Sequence, residues 1–236
     1  MAICGLRAQM FETACQRYAE EDYEAAARGY EALAAQGYTS VNLEYNWGNA
    51  CFRSGQLGGA ILHYERALRL DPSNADTRHN LEFARSRTVD KIDDAPVMFF
   101  VQWWRSLRDG LSTDGWAVLA AVLFTLTLAA LACYFFARQL VVRKAGFGVA
   151  LTSLLVSCLA FVMACQSRDW VQDSGEAIVM LQTVTLKSTP DDSGTDLFIL
   201  HEGTKVVLKS ELGAWREVCT ADGNTGWLPV SAIEVI

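Results

Sequence analysis

The stretches WAVLAAVLFTLTLAALACYFFA, residues 116–137, and FGVALTSLLVSCLAFVMAC, residues 147–165, decide the architecture of this chain. They contain 22 and 19 residues, and neither includes Asp, Glu, Lys, Arg or His. At a rise of about 1.5 Å per residue, either run is long enough as a helix to cross a hydrocarbon core of about 30 Å. A pair of buried core helices is the alternative, but both runs lack a polar face. The sequence therefore predicts a two-span membrane hairpin, since only helices can cross lipid singly.

The connection between the two runs predicts which way the hairpin faces. Residues 138–146 form a very short loop with three cations, Arg138, Arg143 and Lys144. Cytoplasmic loops carry an excess of Lys and Arg, so we expect this loop in the cytoplasm and both soluble parts on the other side. Residues 1–20 lack the basic start, apolar run and cleavage site of a signal peptide. Either a leader lies upstream or the soluble parts are cytoplasmic, and we favour export.

An aromatic and basic segment lies before the first apolar run. Residues 89–115 begin as a polar linker and then become rich in Phe, Trp and Leu, with arginines between them. Paired tryptophans beside arginines next to a span predict a helix in the lipid headgroup layer. The alternative is a helix packed under the N-terminal domain. The side chains assigned to the membrane interface are Trp103, Trp104, Arg105, Arg108, Trp116, Arg138, Arg143 and Lys144.

The N-terminal part contains an internal repeat with a period of 34 residues. When residues 41–74 are set beneath residues 7–40, Tyr18 aligns with Phe52. This period is that of the tetratricopeptide (TPR) unit, which is a helix-turn-helix. A further helix at residues 75–88 is expected to cap the stack. The sequence therefore predicts a short TPR solenoid.

The second copy matches the TPR pattern more closely than the first. Small residues at Gly48 and Ala60 are expected to let its two helices approach closely. Pro72 is expected to end the second helix, because proline cannot donate a helical hydrogen bond. The first copy has Glu21 where the second has Gly55, at the turn between its helices.

The first helix of each unit is expected to form the concave, peptide-binding side of the solenoid. The side chains predicted to point there are Tyr45, Asn46, Asn49, Phe52, Arg53, His79, Asn80 and Phe83. Asn49 and Asn80 are suited to hold the backbone of an extended peptide by hydrogen bonds. Alternatively, asparagine follows the repeat consensus at these positions and Phe52 belongs to the core.

The C-terminal part, residues 176–236, is expected to be a small all-β barrel. Short apolar segments alternate with Gly, Asp and Asn, as strands and tight turns do. The strands are predicted at residues 177–187, 197–200, 204–210, 214–220, 226–229 and 233–236. This arrangement resembles bacterial SH3-type domains, which makes Trp215 and Trp227 candidates for ligand contact. Trp227 is either a ligand platform or part of the barrel core.

Composition and motifs argue against several other classes of protein. Residues 1–95 carry ten Lys and Arg against fourteen Asp and Glu, and residues 166–236 carry five against eleven. Neither part is basic, which argues against nucleic acid as a partner. The histidines, His63, His79 and His201, are near no plausible nucleophile, and no GxSxG, P-loop, HExxH or Rossmann motif occurs. The seven cysteines form no CxxC pair. We therefore predict no catalytic residue, metal site or cofactor.

The order of these parts resembles the E-type protein of the bacterial aerotolerance (Bat) operon. The segments that carry the resemblance are residues 60–72, 79–82, 88–92, 103–104, 112–117 and 197–206. The resemblance implies a stress-related role in the bacterial cell envelope. Together with the basic loop, it predicts an inner-membrane protein whose soluble parts lie in the periplasm. It also implies partners among membrane-anchored von Willebrand factor A proteins, together with an associated ATPase.

The predicted fold is multidomain: a TPR solenoid, a two-helix transmembrane hairpin and an SH3-like barrel. The predicted boundaries are 1–88 for the repeats, 89–115 for the linker and interfacial helix, 116–137 and 147–165 for the spans, 138–146 for the loop, 166–175 for a linker and 176–236 for the barrel. The predicted function is a non-enzymatic, membrane-anchored protein-interaction scaffold of the cell envelope. The alternative is an envelope sensor that binds peptidoglycan or another ligand through the SH3-like part.

Overall fold

The structure is a computed structural model, and the residues it describes are 2–91, 98–172 and 175–236. Parts of both predicted linkers, residues 92–97 and 173–174, and the side chain of Cys4 lie outside the described residues. The helices are α1 (Ala2–Ala19), α2 (Tyr23–Ala35), α3 (Val41–Arg53), α4 (Leu57–Leu70), α5 (Ala75–Ser86), α6 (Phe99–Arg108), α7 (Thr113–Phe136) and α8 (Leu140–Gln172). The strands are β1 (Glu176–Val179), β2 (Thr183–Lys187), β3 (Asp196–His201), β4 (Lys205–Leu212), β5 (Trp215–Thr220), β6 (Thr225–Pro229) and β7 (Ile233–Val235).

The described elements group into two compact units. The first contains α1–α5 together with β1–β7, and the second contains α6–α8. The predicted combination of a helical repeat region, two apolar helices and a C-terminal all-β part is confirmed.

Short polar side chains begin three of the repeat helices. Asp22 Oδ1 accepts a hydrogen bond from the backbone N–H of Ala25 at 3.2 Å, and Asn74 Oδ1 accepts one from Thr77 at 2.9 Å. Ser40 caps α3 in the same way. Each cap satisfies a donor that the helix leaves without a partner, and losing one typically costs about 1 kcal/mol.

The turn inside each helix pair needs a left-handed residue. Gly55 has a φ of 83° between α3 and α4, and Glu21 has a φ of 63° between α1 and α2. These two positions are one repeat period apart. An L-residue in this conformation is strained by roughly 1–2 kcal/mol, which glycine avoids. The first unit therefore keeps the turn of the second without its glycine.

A glycine lets α3 pack tightly on α4. A Cβ atom at Gly48 would lie 2.7 Å from the ring of Tyr64, which is buried beside Ala60. The close approach predicted from these small residues is confirmed.

The strands form one antiparallel open sheet in the order β3-β2-β6-β5-β4-β1-β7. Its buried face is lined by Val184, Leu186, Leu200, Val206, Val218 and Leu228, among others. Within the described range the edge strands, β3 and β7, each pair with a single neighbour. The prediction of one strand over residues 177–187 is wrong, because the chain turns at residues 180–182. β1 then pairs with β4 and β7, while β2 pairs with β3 and β6.

The turn between β3 and β4 packs against the start of α4. The backbone N–H of Gly58 donates to Glu202 Oε1 at 2.7 Å, which places a carboxylate at the positive end of the helix. Gly203, with a φ of 86°, approaches Ile61 and Thr88 so closely that a Cβ atom would lie 2.8 and 2.9 Å from them. The β part therefore contacts the repeat helices directly.

Buried ion pairs extend this contact along α4. Arg69 donates from Nη2 to Glu176 Oε2 at 3.1 Å and from Nη1 to the backbone carbonyl of Ile236 at 2.6 Å. Lys205 contacts both Glu176 and Glu65, at 2.9 and 3.4 Å. Ile178 of β1 joins the hydrophobic core of the repeat helices. The second repeat and the sheet thus share a core and a network of charges.

Asp90, four residues after the end of α5, also binds the turn between β3 and β4. Its Oδ2 accepts hydrogen bonds from the backbone N–H of His201 and from Thr204 Oγ1, both at 2.7 Å, and its Oδ1 lies 2.7 Å from His201 Nδ1. Burial acts to raise the pKa of Asp90, but these hydrogen bonds outweigh it and lower the pKa.

In the second unit, α7 and α8 pack through small residues. Ala120, Ala160 and Ala164 are buried between them. Ser157 Oγ donates to the carbonyl of Ala120 at 2.9 Å, and the hydroxyls of Thr127 and Ser153 are 2.8 Å apart. Large apolar side chains lie on the outside of both helices, including Val118, Phe124, Leu128, Leu155 and Phe161. Both helices are long and apolar enough to cross a membrane.

The predicted loop of residues 138–146 is wrong for most of its length. Helix α7 ends at Phe136 and α8 begins at Leu140, so the connection has three residues. Arg143 and Lys144 therefore lie in the first turns of α8 rather than in a loop. No proline occurs between Leu140 and Gly146, and cations at a helix end leave the backbone hydrogen bonds intact.

Candidate functional site

The residues predicted for the peptide-binding side lie on α3 and α5. With Tyr18 of α1, Tyr23 of α2 and Arg87 after α5, they form what we call the first-helix surface. Its side chains are Tyr18, Tyr23, Tyr45, Asn46, Asn49, Phe52, Arg53, His79, Asn80, Phe83 and Arg87. Sequence reasoning missed Tyr18, Tyr23 and Arg87.

Three of the predicted residues meet in one hydrogen-bonded cluster. Asn80 Nδ2 donates to Asn49 Oδ1 at 3.0 Å and to the hydroxyl of Tyr45 at 3.2 Å. The hydroxyl of Tyr64, from α4, donates to the same oxygen of Asn49 at 2.7 Å. Burial raises the pKa of Tyr64, so its hydroxyl stays a donor. The Asn49 amide group and the Asn80 carbonyl take no part in these bonds and are available to a peptide backbone.

Aromatic rings and arginines form the adjoining part of the surface. Tyr18 and Tyr23 lie edge to face with centroids 5.2 Å apart, and Phe52 and Phe83 lie 5.5 Å apart. Arg53 donates to the hydroxyl of Tyr23 at 2.7 Å. This hydrogen bond raises the pKa of Arg53, which is therefore fully charged. The result is an apolar strip with positive charge beside it.

The remaining predicted residues of this surface lie outside the hydrogen-bonded cluster. Asn46 Nδ2 lies 3.9 Å from Cys15 Sγ, and His79 is exposed on α5. Phe52 is half-buried and packs against the helical core. It therefore contributes both to the core and to the strip.

Trp215 and Trp227 lie together on the outer face of the sheet. Trp227 pairs with Glu217 and Lys187, and Trp215 pairs with Pro229. Side chains alternate between faces along a strand, and the neighbour of Trp227, Leu228, is in the core. The two tryptophans are half-exposed diagonal neighbours, about 7–8 Å apart by ordinary sheet geometry.

The residues predicted for a membrane interface divide into exposed and packed groups. Trp103 is 64% exposed, whereas Trp104 donates from Nε1 to Gln166 of α8 at 2.9 Å. Arg108 lies over the ring of Trp170, and Trp116 is buried and donates to the carbonyl of Arg108 at 2.8 Å. Burial of Trp116 removes its ring from any outer surface of this unit. The exposed members are Trp103, Arg105, Arg138, Arg143 and Lys144.

The three histidines lie in different environments. His63 is buried on α4 with Nδ1 2.8 Å from Glu44 Oε2, and burial lowers its pKa. His201 is bound to Asp90, and His79 is exposed. Within the part of the chain that the structure describes, no three His, Cys, Asp or Glu side chains form a group suited to a metal ion.

Comparison with known proteins identifies one module. A family model described as a TPR repeat matches residues 48–85. The match begins in α3, covers α4 and ends in α5. It therefore includes the residues of the first-helix surface that lie on α5. No curated protein matches the chain. The chain therefore contains a TPR repeat, a helical module that typically binds other proteins without catalysing a reaction.

Proposed function

We propose that this chain is a non-enzymatic scaffold that is anchored in a membrane and holds a partner protein on its first-helix surface. The observation that carries the proposal is the amide, aromatic and arginine surface on the TPR helices. The sheet packs against α4, the second helix of its repeat, through Arg69 and Gly58. The first-helix surface is therefore left for a partner. Extended peptides bind such surfaces by backbone hydrogen bonds and aromatic contacts.

Membrane anchoring is supported by the way α7 and α8 expose their side chains. A core helix of a soluble protein buries its large apolar residues, whereas here Phe124, Leu128 and Phe161 lie outside. The buried seam instead contains alanines and hydroxyl groups, as helix pairs in lipid do. Exposed aromatic residues of α6, such as Phe99 and Trp103, suit the headgroup layer.

The likeness to the E-type protein of the Bat operon supports a more specific assignment. On this proposal the chain lies in the bacterial inner membrane, with the repeats and the sheet in the periplasm. Its partners are membrane-anchored von Willebrand factor A proteins of an aerotolerance system. The packing of the repeats on the sheet agrees with a hairpin, because an even number of spans leaves both parts on one side.

A second candidate function uses the sheet. The half-exposed pair Trp215 and Trp227 on its outer face offers two ring surfaces next to Lys187 and Glu217. Such a platform suits peptidoglycan or a peptide, in which case the chain is an envelope sensor. The two functions differ in which surface a partner needs.

Replacing Asn46 and Asn80, which occupy the same position in successive repeats, should weaken partner binding. Asn46 and Asn80 are one period apart, and the double variant Asn46→Ala/Asn80→Ala leaves Tyr64 bonded to Asn49. Each lost hydrogen bond to a buried partner costs about 1–3 kcal/mol, so we expect capture of membrane partners to fall at least about tenfold. Quantitative affinity capture from native membranes measures this effect.

The matched control for this experiment is Gln9→Ala, which removes an exposed amide on the opposite side of α1. It should leave capture and the helical circular dichroism unchanged. Undiminished capture by the double variant would exclude the first-helix surface as the binding site.

The proposed topology predicts where the connection between α7 and α8 can be labelled. Cysteine placed at Gln139, in a chain whose native cysteines are replaced, should react with an impermeant thiol reagent only after cells are opened. Cations nearby favour the cytoplasmic side. Labelling in intact spheroplasts would reverse the orientation. Cysteine placed at the exposed Glu24 is the control and should label without opening the cells.

A further inference from the structure

Two arginines of the first-helix surface occupy the same position in successive repeats. Arg53 and Arg87 are 34 residues apart, at the ends of α3 and α5. The guanidinium carbon of Arg53 is 4.9 Å from the centroid of Tyr23, and that of Arg87 is 5.0 Å from the centroid of Phe83. Each charge is therefore placed against an aromatic ring of this surface.

These two charges differ from most other arginines of the repeats in their partners. Arg17, Arg28 and Arg66 each form an ion pair with a glutamate. Neither Arg53 nor Arg87 forms an ion pair with a carboxylate anywhere in residues 2–91, 98–172 or 175–236. The chain as a whole carries a net charge of −7, so this lack of a carboxylate is not due to a shortage of acidic groups.

The geometry around the arginines suits carboxylates from another molecule. A guanidinium held against a ring loses little freedom when it binds a carboxylate through two parallel hydrogen bonds. Arg53 uses one Nη2 hydrogen for the Tyr23 hydroxyl, and its other N–H groups remain to bind a carboxylate. Phe83, which is 46% exposed, contacts Phe52 next to Arg53 and lies beneath Arg87. An apolar contact point therefore lies next to both positive groups.

We propose that the first-helix surface selects an extended acidic segment of a partner protein, with carboxylates on both sides of an apolar side chain. The carboxylates bind Arg53 and Arg87, and the apolar side chain packs on Phe83. This inference rests on the proposed function and adds the chemistry of the partner. Charge complementarity to these two arginines is what favours an acidic occupant over a neutral or basic one.

The test measures binding of short fluorescent peptides to the full chain in detergent. One peptide has glutamates on both sides of a central phenylalanine, and two matched peptides carry glutamine or lysine instead. Hydrogen bonds between two charged groups are stronger than those to a neutral amide, so the glutamate peptide should bind at least about tenfold tighter than the glutamine peptide. Arg53→Glu/Arg87→Glu should abolish this preference and favour the lysine peptide.

The matched control is Arg17→Glu/Arg28→Glu, which changes the net charge equally through exposed residues of α1 and α2. It should retain the preference for glutamate. Equal binding of all three peptides, still sensitive to Asn46→Ala/Asn80→Ala, would overturn the acidic selection but leave the proposed function standing. Binding of none of them would also overturn the inference, and partner capture that is insensitive to the asparagines would contradict the proposed function itself.

Discussion

Arg69→Ala should lower the free energy of unfolding by about 3–5 kcal/mol, because it removes two hydrogen bonds from a buried charged group, each of which typically contributes about 1.5–3 kcal/mol. Arg69 is only 5% exposed, and it binds both Glu176 and the carbonyl of Ile236. Burial lowers the pKa of Arg69, against the opposite effect of Glu176 and Glu65, which is the mark of a charge removed from water. Denaturant unfolding of the detergent-solubilised chain, followed by circular dichroism, measures the loss.

A surface ion pair provides the control for Arg69. Arg28 and Glu24 are 3.7 Å apart and both exposed, and such pairs contribute about 0–1 kcal/mol. Arg28→Ala should therefore have little effect. A loss below about 1 kcal/mol for Arg69→Ala as well would mean that the sheet and α4 do not depend on this contact.

Gly203→Ala should lower the free energy of unfolding by about 2–5 kcal/mol through two separate effects. The left-handed backbone costs an L-residue roughly 1–2 kcal/mol, and overpacking against Ile61 and Thr88 adds about 1–3 kcal/mol. Denaturant unfolding, followed by circular dichroism as for Arg69→Ala, measures the sum of these two costs.

Gly223→Ala separates these two effects. Gly223 has a φ of 90°, close to that of Gly203, but a Cβ atom there would meet nothing within 4 Å. It should therefore show the backbone cost alone. Equal losses for the two variants would contradict a close contact between the β3–β4 turn and α4.

The parts of the fold that the sequence predicted depend on local or periodic patterns. The uncharged runs specified α7 and α8, and the period that relates Tyr18 to Phe52 specified the repeat helices. The sequence predicted β1 and β2 as one strand, because residues 180–182 contain neither glycine nor proline. No local residue pattern therefore indicates the turn between them. The helical start of α8 was missed because cations were taken to indicate a loop.

The packing of the sheet on α4 could not be predicted in the same way. Arg69 and Glu176 are 107 residues apart, and each by itself looks like an ordinary surface charge. Glu202 caps α4 from a different part of the chain, so no local motif reveals it. Gly58 and Gly203 both lie at this contact, but a glycine at either position also fits the start of a helix or a tight turn, so neither predicts the contact.

The candidate site was found only in part for a related reason. Asn46, Asn49 and Asn80 follow from the repeat pattern of the first helices. Arg87 lies one period after Arg53 and could have been found by extending the same alignment. Tyr23 belongs to a second helix, so only the three-dimensional contact with Arg53 shows that it is part of this surface.

Partner capture from native membranes tests most directly whether the TPR helices are the working surface of this protein. The intact chain, Asn46→Ala/Asn80→Ala and Trp227→Ala are compared at equal amounts in the membrane. We predict that membrane proteins captured by the intact chain are lost with the asparagine variant and kept with Trp227→Ala. Loss with Trp227→Ala and retention with the asparagine variant would contradict the account and assign partner binding to the sheet.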